Sequence, residues 1–287
     1  MSDQFSVLIQ GPLSNHSLVN LDIYKKIGPV IISHWTTDNT EILDAYDLDG
    51  CTVTSDVLPS RSIPIKIGLT EREDTTFYWA MTSIHNGLKA CDTKYIIKIR
   101  SDERYSNLQP MVDRIEEFPN AFVTTNIFFK PWRIHEFHIS DHIFGGRTDL
   151  LLQTWELMLG MWEGNIPAEG WAIQGRDVDK PGRTHMNCPE QIQCKAFLRT
   201  IGSPFTKQAV IDNFQMLDVL SLGGYLIQYQ QGRAGQGLRW RSPDQATLRY
   251  KDGREFTMIG EEWEKRPTPP TGQFLFPETS LDRIEDL

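Results

Sequence analysis

The chain has 287 residues, with 29 basic and 38 acidic side chains and a net charge of −9. This balance argues against general nucleic-acid binding, which relies on a broad basic surface. Any anionic ligand must therefore be met by a local basic pocket. Hydrophobic residues make up 39% of the chain, enough for one large α/β domain or two small ones.

The sequence predicts neither a secreted protein nor one that spans a membrane. The first residues lack a basic region followed by an apolar run, so no signal peptide is predicted. No apolar stretch approaches the roughly 20 residues of a transmembrane helix. The cysteines are scattered and form no Cys-x-x-Cys pair, which predicts reduced thiols in a cytoplasmic protein. They are Cys51, Cys91, Cys188 and Cys194.

Three short apolar runs near the start of the chain are predicted strands, at 5–9, 30–32 and 51–54. Each is followed by polar or strand-breaking residues, and the connections are long enough for crossovers. This pattern is typical of a doubly wound nucleotide-binding half. The residues that follow the strands are Gln10-Gly11-Pro12, Ser33-His34-Trp35 and Ser55-Asp56.

A fourth apolar run, Tyr95–Ile99, ends in a cluster of charges formed by Arg100, Asp102, Glu103 and Arg104. A short continuous run of this kind predicts a strand buried on both faces of a sheet. Open α/β sheets bind ligands beyond the carboxyl ends of their strands. Clustered carboxylates there can hold a divalent cation, and arginines can meet phosphate. A solvated loop with local ion pairs is the alternative.

The remaining elements are predicted from periodicity and turn residues. A helix carrying Phe77, Ala80, Met81, Ile84 and Leu88 precedes the charged strand, capped by Asp74 or Thr75. Further helices are expected at 111–118, from a cap at Asp149, up to about Ile201, and from Thr206 to Gly223. Strands are expected at 121–129, 136–140 and 225–229, a long irregular loop at 164–183 and a hairpin turn at 250–255. One domain over 1–265 and a Pro-rich arm over 266–287 are predicted.

Five segments together resemble the WavE lipopolysaccharide-synthesis family, which is similar to GT-A glycosyltransferases. The strongest pieces are the Gln-Gly-Pro end of the first strand and the Lys-x-Arg-x-Asp end of the fourth. The resemblance covers roughly residues 5–200. The five segments are Val7–Leu13, Ile31–Trp35, Thr82–Leu88, Tyr95–Asp102 and Ser140–Gly145.

The resemblance implies a single GT-A-like α/β domain with a central, mostly parallel sheet. It also implies transfer of a sugar from a nucleotide-diphosphate donor to a glycan acceptor in surface polysaccharide or lipopolysaccharide synthesis. The sequence departs from the family pattern twice. Ser101-Asp102-Glu103 replaces a strict Asp-x-Asp, and Tyr78-Trp79-Ala80 stands where relatives tend to be polar.

Glycosyl transfer needs the leaving diphosphate to be neutralised and the acceptor hydroxyl to meet a base. Asp102 is the best candidate ligand for Mn²⁺ or Mg²⁺, with Glu103 and His185 as further candidates. Glu103 either helps or faces solvent. The donor is expected to contact the ends of the first, second and fourth strands. These donor candidates are Gln10, Gly11, Pro12, Ser33, Trp35, Arg100 and Asp102.

Two carboxylates are candidates for the base. Glu190 follows the long irregular passage, but Asn187-Cys-Pro-Glu190 also fits a helix start with a capping-box glutamate. Asp141 at another strand end is the rival, and it could instead be an N-cap. A zinc site from His138, Asp141 and His142 is weakly indicated, because no periodicity brings the three together.

A glycine- and arginine-rich stretch at 232–241 could close over a diphosphate, with Arg233 and Arg239 as contacts, or it could be a mobile surface loop. Two other functions stay open. A nucleotidyl- or phosphotransferase could use the same Asp102 site. A non-catalytic glycan-binding module would need exposed aromatic residues, for which Trp35, Trp79 and Trp132 are the candidates.

Overall fold

The computed structural model describes residues 4–13, 15–57, 64–67, 70–73, 75–125, 136–162, 175–176, 184–185, 189–217, 219–222, 224–228 and 239–241. The strands are β1 (Phe5–Gln10), β2 (Val30–Trp35), β3 (Cys51–Asp56), β4 (Pro64–Ile67), β5 (Thr70–Glu73), β6 (Tyr95–Arg100), β7 (Glu103–Tyr105), β8 (Phe122–Thr125), β9 (Phe144–Arg147), β10 (Gly175–Arg176), β11 (Thr184–His185), β12 (Phe214–Leu217), β13 (Gly224–Gln228) and β14 (Arg239–Arg241). The α-helices are α1 (Asn15–Leu18), α2 (Leu21–Lys25), α3 (Thr75–Lys89), α4 (Gln109–Glu117), α5 (Thr148–Trp162), α6 (Pro189–Thr200) and α7 (Lys207–Asn213).

The main sheet has seven strands in the order β12-β8-β9-β6-β1-β2-β3. All neighbouring pairs are parallel except the two that β9 makes. β1 lies between β6 and β2, so the carboxyl ends of these three strands are adjacent. The amino end of the reversed strand β9 reaches the same edge of the sheet, because β9 runs antiparallel to β6.

Helices cover both faces of this sheet, and the strand residues alternate between two cores. Leu8 of β1 packs in the core beneath α3, α5 and α6, whereas its neighbours Val7 and Ile9 pack in the core beneath α2 and α4. Ile96 and Ile97 of β6 divide in the same way. The expected α/β fold with a mostly parallel, doubly wound sheet is confirmed. The helices of the described residues all fall short of the length and hydrophobicity that a bilayer span requires.

One predicted strand was wrong. Residues 136–140 form a turn and irregular backbone, and the strand lies instead at β9, Phe144–Arg147. The sequence Phe-Gly-Gly-Arg resembles a turn, but close packing requires its glycines. A Cβ on Gly145 would lie 2.7 Å from Ile115 Cδ1 and 2.8 Å from the Ile96 carbonyl oxygen. Tertiary packing therefore overrides local propensity here.

The helix predicted from Thr206 to Gly223 was too long. Thr206 does cap α7, since its Oγ1 accepts a hydrogen bond from the Ala209 N–H at 3.1 Å. α7 ends at Asn213, however, and the next residues form the edge strand β12 beside β8. Asp149 was also predicted as a cap, but it lies in the first turn of α5 and pairs with Arg147.

The strand predicted at 225–229 is β13, which lies between β14 and β7 in a separate antiparallel sheet. The strand predicted at 121–129 is described only as β8. The hairpin turn at 250–255 and the Pro-rich arm over 266–287 lie outside the described residues.

Candidate functional site

The ends of β1, β2 and β6 meet in one place. Gln10 at the end of β1 is the register partner of both Ser33 in β2 and Arg100 in β6. The backbone continues the contact past the strand ends. Gly11 N–H donates to the Ser33 carbonyl at 3.1 Å, and Ser101 N–H donates to the Gln10 carbonyl at 2.8 Å. The structure thus brings together the three segments predicted to contact a donor.

Gly11 is the point where the chain turns away from β1. Its φ of +124° lies in the left-handed region, which side chains rarely adopt. A Cβ at this position would lie 2.6 Å from Ser101 Oγ. Pro12 follows and is exposed. Glycine is therefore needed both for the turn and for the close approach between the exits of β1 and β6, that is, the residues that directly follow each strand.

Ser33 and Trp35 are both buried, so their side chains serve the fold. Ser33 Oγ donates to the Ser83 carbonyl at 2.7 Å and ties β2 to α3. Trp35 is only 4% exposed, which leaves it no free face for a sugar ring. Trp79 lies in α3, next to Tyr78, which packs against the core. Trp132 lies outside the described residues. An exposed aromatic platform at Trp35 is absent.

Asp38, which the sequence analysis did not single out, links two of these exits. Its Oδ2 accepts hydrogen bonds from the N–H groups of Leu13 and Trp35, both at 3.0 Å. His34 Nδ1 lies 3.6 Å from the same oxygen and 2.9 Å from the Trp35 carbonyl. Asp38 lies three residues beyond the end of β2, and its sequence position carries no local sign of the long-range contact with Leu13.

Arg100 and Asp102 form a two-pronged ion pair at the end of β6. Arg100 Nε donates to Asp102 Oδ1 at 2.8 Å, and its Nη2 donates to Oδ2 at 2.7 Å. Burial opposes the charge on Arg100, but Asp102 and Glu103 outweigh it and raise the pKa of the guanidinium. Both Asp102 oxygens are thus already engaged by a permanent cation.

Glu103 is buried, contrary to the alternative in which it faces solvent. Its Oε2 accepts a hydrogen bond from Tyr105 Oη at 2.9 Å, and its Oε1 contacts His142 Nδ1. Arg100 Nε lies 3.4 Å from the same Oε1. Burial, and then Glu103, raise the pKa of the Tyr105 phenol well above its usual value. β7, which carries Glu103, pairs with β13.

Lys98, two residues before Arg100, is also buried. Its Nζ donates to the carbonyls of Asp141 at 2.8 Å and His142 at 3.4 Å. Burial lowers the pKa of Lys98 to about 8, although Asp141 opposes the change. Burial also opposes ionisation of Asp141, but His142, Lys98 and Arg100 outweigh it and hold its pKa below the usual range. Asp141 thus lies ionised beside the exit of β6.

Glu190 lies in the first turn of α6 and is partly buried. The neighbouring Gln191 Nε2 donates to the Glu136 carbonyl at 2.7 Å, which ties the start of α6 to the segment leading to Asp141. Asn187 of the proposed capping box lies outside the described residues. The same holds for Arg233, and for the side chains of His185 and Arg239 in β11 and β14.

The two predicted metal ligands at the end of β6, Asp102 and Glu103, are both engaged by other side chains. Asp102 is held by Arg100, and Glu103 is held by Tyr105 and His142. Within the part of the chain that the structure describes, no group of three His, Cys, Asp or Glu residues could hold a metal ion. This includes the weakly indicated zinc group of His138, Asp141 and His142.

Three solved structures share a distant similarity with the chain. A crystal structure of Staphylococcus aureus TarS matches with 15% identity and a TM-score of 0.36 over 54% of this chain and 31% of that protein. A 4-diphosphocytidyl-2C-methyl-D-erythritol synthase from Anaerococcus prevotii matches with 12% identity and a TM-score of 0.38 over 74% and 97%. A putative glucose-1-phosphate thymidylyltransferase from Bacillus anthracis matches with 10% identity and a TM-score of 0.37 over 57% and 79%.

The matched region thus spans about a third of the length of TarS. No curated protein sequence matches the chain. The family model described as WavE lipopolysaccharide synthesis matches residues 5–216, which span the main sheet from β1 to all but the last residue of β12. The chain belongs to the WavE lipopolysaccharide-synthesis family.

Proposed function

We propose that the protein is a glycosyltransferase that moves a sugar from a nucleotide-diphosphate donor to a hydroxyl of a glycan acceptor. The observation that carries this proposal is the adjacency of the β6, β1 and β2 exits, with Arg100 at one side and the Gly11 turn in the middle. Nucleotides bind across strand exits of this kind in doubly wound sheets. Membership of a lipopolysaccharide-synthesis family supports a glycan as acceptor.

The charges orient the donor within this site. Arg100 is the described cation at the strand exits, so the diphosphate lies on the β6 side and the nucleoside on the β1 and β2 side. A guanidinium binds phosphate oxygens with the same fork that it offers a carboxylate. The diphosphate of the nucleotide sugar therefore competes with Asp102 for the N–H groups of Arg100.

The reaction needs a base on the acceptor side. The acceptor oxygen attacks the anomeric carbon and loses its proton to the base, while the bond from that carbon to the diphosphate breaks and the nucleotide leaves. Asp141 is our first choice for the base. It is ionised, a third of its side chain is exposed, and it lies close to the charges of Lys98 and Arg100. Glu190 is the second, since Gln191 ties its helix to the segment before Asp141.

Dependence on Mn²⁺ or Mg²⁺ remains a prediction. Asp102 has the oxygen chemistry that such an ion prefers, but Arg100 holds it in the described arrangement. Comparing donor turnover in Mn²⁺ and in EDTA tests this part by itself.

The experiment is a screen of nucleotide sugars for donor hydrolysis, followed by matched variants with the donor it identifies. We expect Asp141→Asn to lower turnover by about 10²-fold, as loss of a general base does, with donor affinity nearly unchanged. Asp149→Asn is the control, because Asp149 lies beyond β9 at the opposite edge of the sheet. If Asp141→Asn stays active and Glu190→Gln loses turnover instead, the base is Glu190.

The screen also separates the competing functions. Release of pyrophosphate from a nucleoside triphosphate and a sugar phosphate would identify a nucleotidyltransferase. Thermal stabilisation by free glycans, with no response to any nucleotide, would identify a glycan-binding module. Either result would overturn the glycosyltransferase proposal.

A further inference from the structure

Asp38 is a half-buried carboxylate for which the proposed reaction has no use. It lies in the turn after β2, and its side chain is 14% exposed. Its Oδ2 receives two backbone N–H groups from separate parts of the chain, Leu13 after β1 and Trp35 at the end of β2. Carboxylates that accept backbone N–H groups form the stronger class of hydrogen bonds.

The hydrogen bonds of Asp38 to Leu13 and Trp35 join segments that lie beyond the last β1–β2 register pair of the sheet. The last register pair between β1 and β2 is Gln10 with Ser33, followed by the Gly11 N–H bond to the Ser33 carbonyl. Beyond that point the left-handed turn at Gly11 takes the chain out of the sheet. Leu13 is therefore linked back to the β2 exit through Asp38.

We propose that Asp38 is a positioning residue that sets the nucleoside half of the donor site by fixing the β1 exit against the β2 exit. This inference rests on the proposed nucleotide site. Asp38 acts through the backbone at Leu13 and Trp35. Arg100, which receives the diphosphate, lies across β1 from β2, so the two halves of the site are held by different contacts.

The loss of the Asp38 charge and the loss of its hydrogen bonds have opposite effects on nucleotide binding. Nucleotides are anions, so removing a negative charge near their site strengthens binding by simple electrostatics. Loss of the Asp38 contacts weakens binding instead, because the exits are no longer ordered before the ligand arrives. Asp38→Ala removes both the charge and the acceptor. Asp38→Asn removes only the charge, because its amide oxygen still accepts backbone N–H groups.

The measurement is calorimetric affinity for UDP, GDP and pyrophosphate with wild type, Asp38→Ala, Asp38→Asn and Asp44→Ala. Asp44 is an exposed aspartate in the 3₁₀-helix Thr40–Ala45 and controls for loss of one charge. We expect Asp38→Ala to weaken binding of the preferred nucleotide about tenfold, a change of 1.4 kcal/mol. Asp38→Asn and Asp44→Ala should bind that nucleotide like wild type or better, and pyrophosphate affinity should be the same in all four proteins.

Hydrogen exchange of the ligand-free proteins gives a second measurement, which needs less protein than calorimetry if Asp38→Ala is poorly stable. The amides of Leu13 and Trp35 should exchange faster in Asp38→Ala than in Asp38→Asn or Asp44→Ala, because only Asp38→Ala removes their acceptor, while the amides of β6 stay unchanged. Unaltered nucleotide affinity in Asp38→Ala, or an equal loss for pyrophosphate, would overturn the inference. Failure of the wild-type protein to bind any nucleotide would contradict the proposed function instead.

Discussion

The two sides of the candidate site are built in different ways. On the β1 and β2 side, the exits are held mainly by backbone hydrogen bonds, a left-handed glycine and one carboxylate, Asp38. On the β6 and β9 side, a dense set of charges is buried or half-buried. Those residues are Lys98, Arg100, Asp102, Glu103, Asp141 and His142. We therefore expect the first side to set the position of a bound nucleotide and the second side to bind its charged groups.

The largest stability effect should come from Glu103 on the charged side. Removing one partner from a buried ionic network costs about 3–5 kcal/mol, and Glu103 contacts His142, Arg100 and Tyr105 at once. We expect Glu103→Gln to lower the free energy of unfolding by about 3 kcal/mol in urea denaturation.

Asp102→Asn is the matched control for this change. Asp102 is the next residue in the chain and also pairs with Arg100, but its side chain is more exposed. Its loss should cost less, about 1.5 kcal/mol, because the amide oxygen of Asn still accepts one of the two hydrogen bonds from Arg100. Equal losses for the two variants would mean that Glu103 is not the anchor of the buried network.

Lys98 should produce an effect of similar size, which appears only as the pH is raised. Its pKa is about 8 in the folded protein against 10.5 unfolded, so the unfolded chain binds more protons between these values. The folded protein therefore gains stability from this group as pH rises from 8 to 10.5, by up to about 3 kcal/mol.

Lys98→Met keeps the apolar stem and removes the titrating group. Thermal or urea unfolding of both proteins at several pH values isolates the effect, because all other groups titrate in both. The difference in unfolding free energy between wild type and Lys98→Met should change across pH 8–10.5. A difference that stays constant would show that Lys98 titrates normally.

The smallest effect should come from β9, which brings the Asp141 segment to the site. Gly145→Ala places a methyl group against the Ile115 side chain and the Ile96 carbonyl, and overpacking of this kind costs about 1–3 kcal/mol. Gly50→Ala is the control, since a Cβ there meets nothing within 4 Å and its φ of +74° adds only local strain. That strain costs about 1 kcal/mol. Equal destabilisation would argue against tight packing at β9.

How far the sequence predicts the fold also differs between these sides. β1, β2, β3 and β6 are visible as apolar runs that end in polar residues, and the parallel sheet follows from them. β9 is not visible, because the contacts that require a glycine at position 145 are made with α4 and β6, which lie far away in sequence. β12 was missed because its pairing with β8 interrupts a helical pattern.

The same limit applies to the site. Gln10, Ser33 and Arg100 could be predicted to meet because the carboxyl ends of adjacent parallel strands share one edge. The partners of their neighbours could not. Asp38 contacts Leu13 from 25 residues away, and Glu103 contacts His142 from 39 residues away. A pairing over such distances depends on the folded topology and leaves no local pattern.

The most direct test of the central claim is nucleotide affinity in wild type and Arg100→Met. We expect wild-type protein to bind UDP or GDP, and pyrophosphate more weakly. Arg100→Met should weaken both by at least about tenfold, because the described guanidinium at the strand exits is lost. Titration calorimetry in Mn²⁺ and again in EDTA measures this and the metal dependence together. Undiminished binding of both ligands to folded Arg100→Met would contradict a diphosphate site at the end of β6.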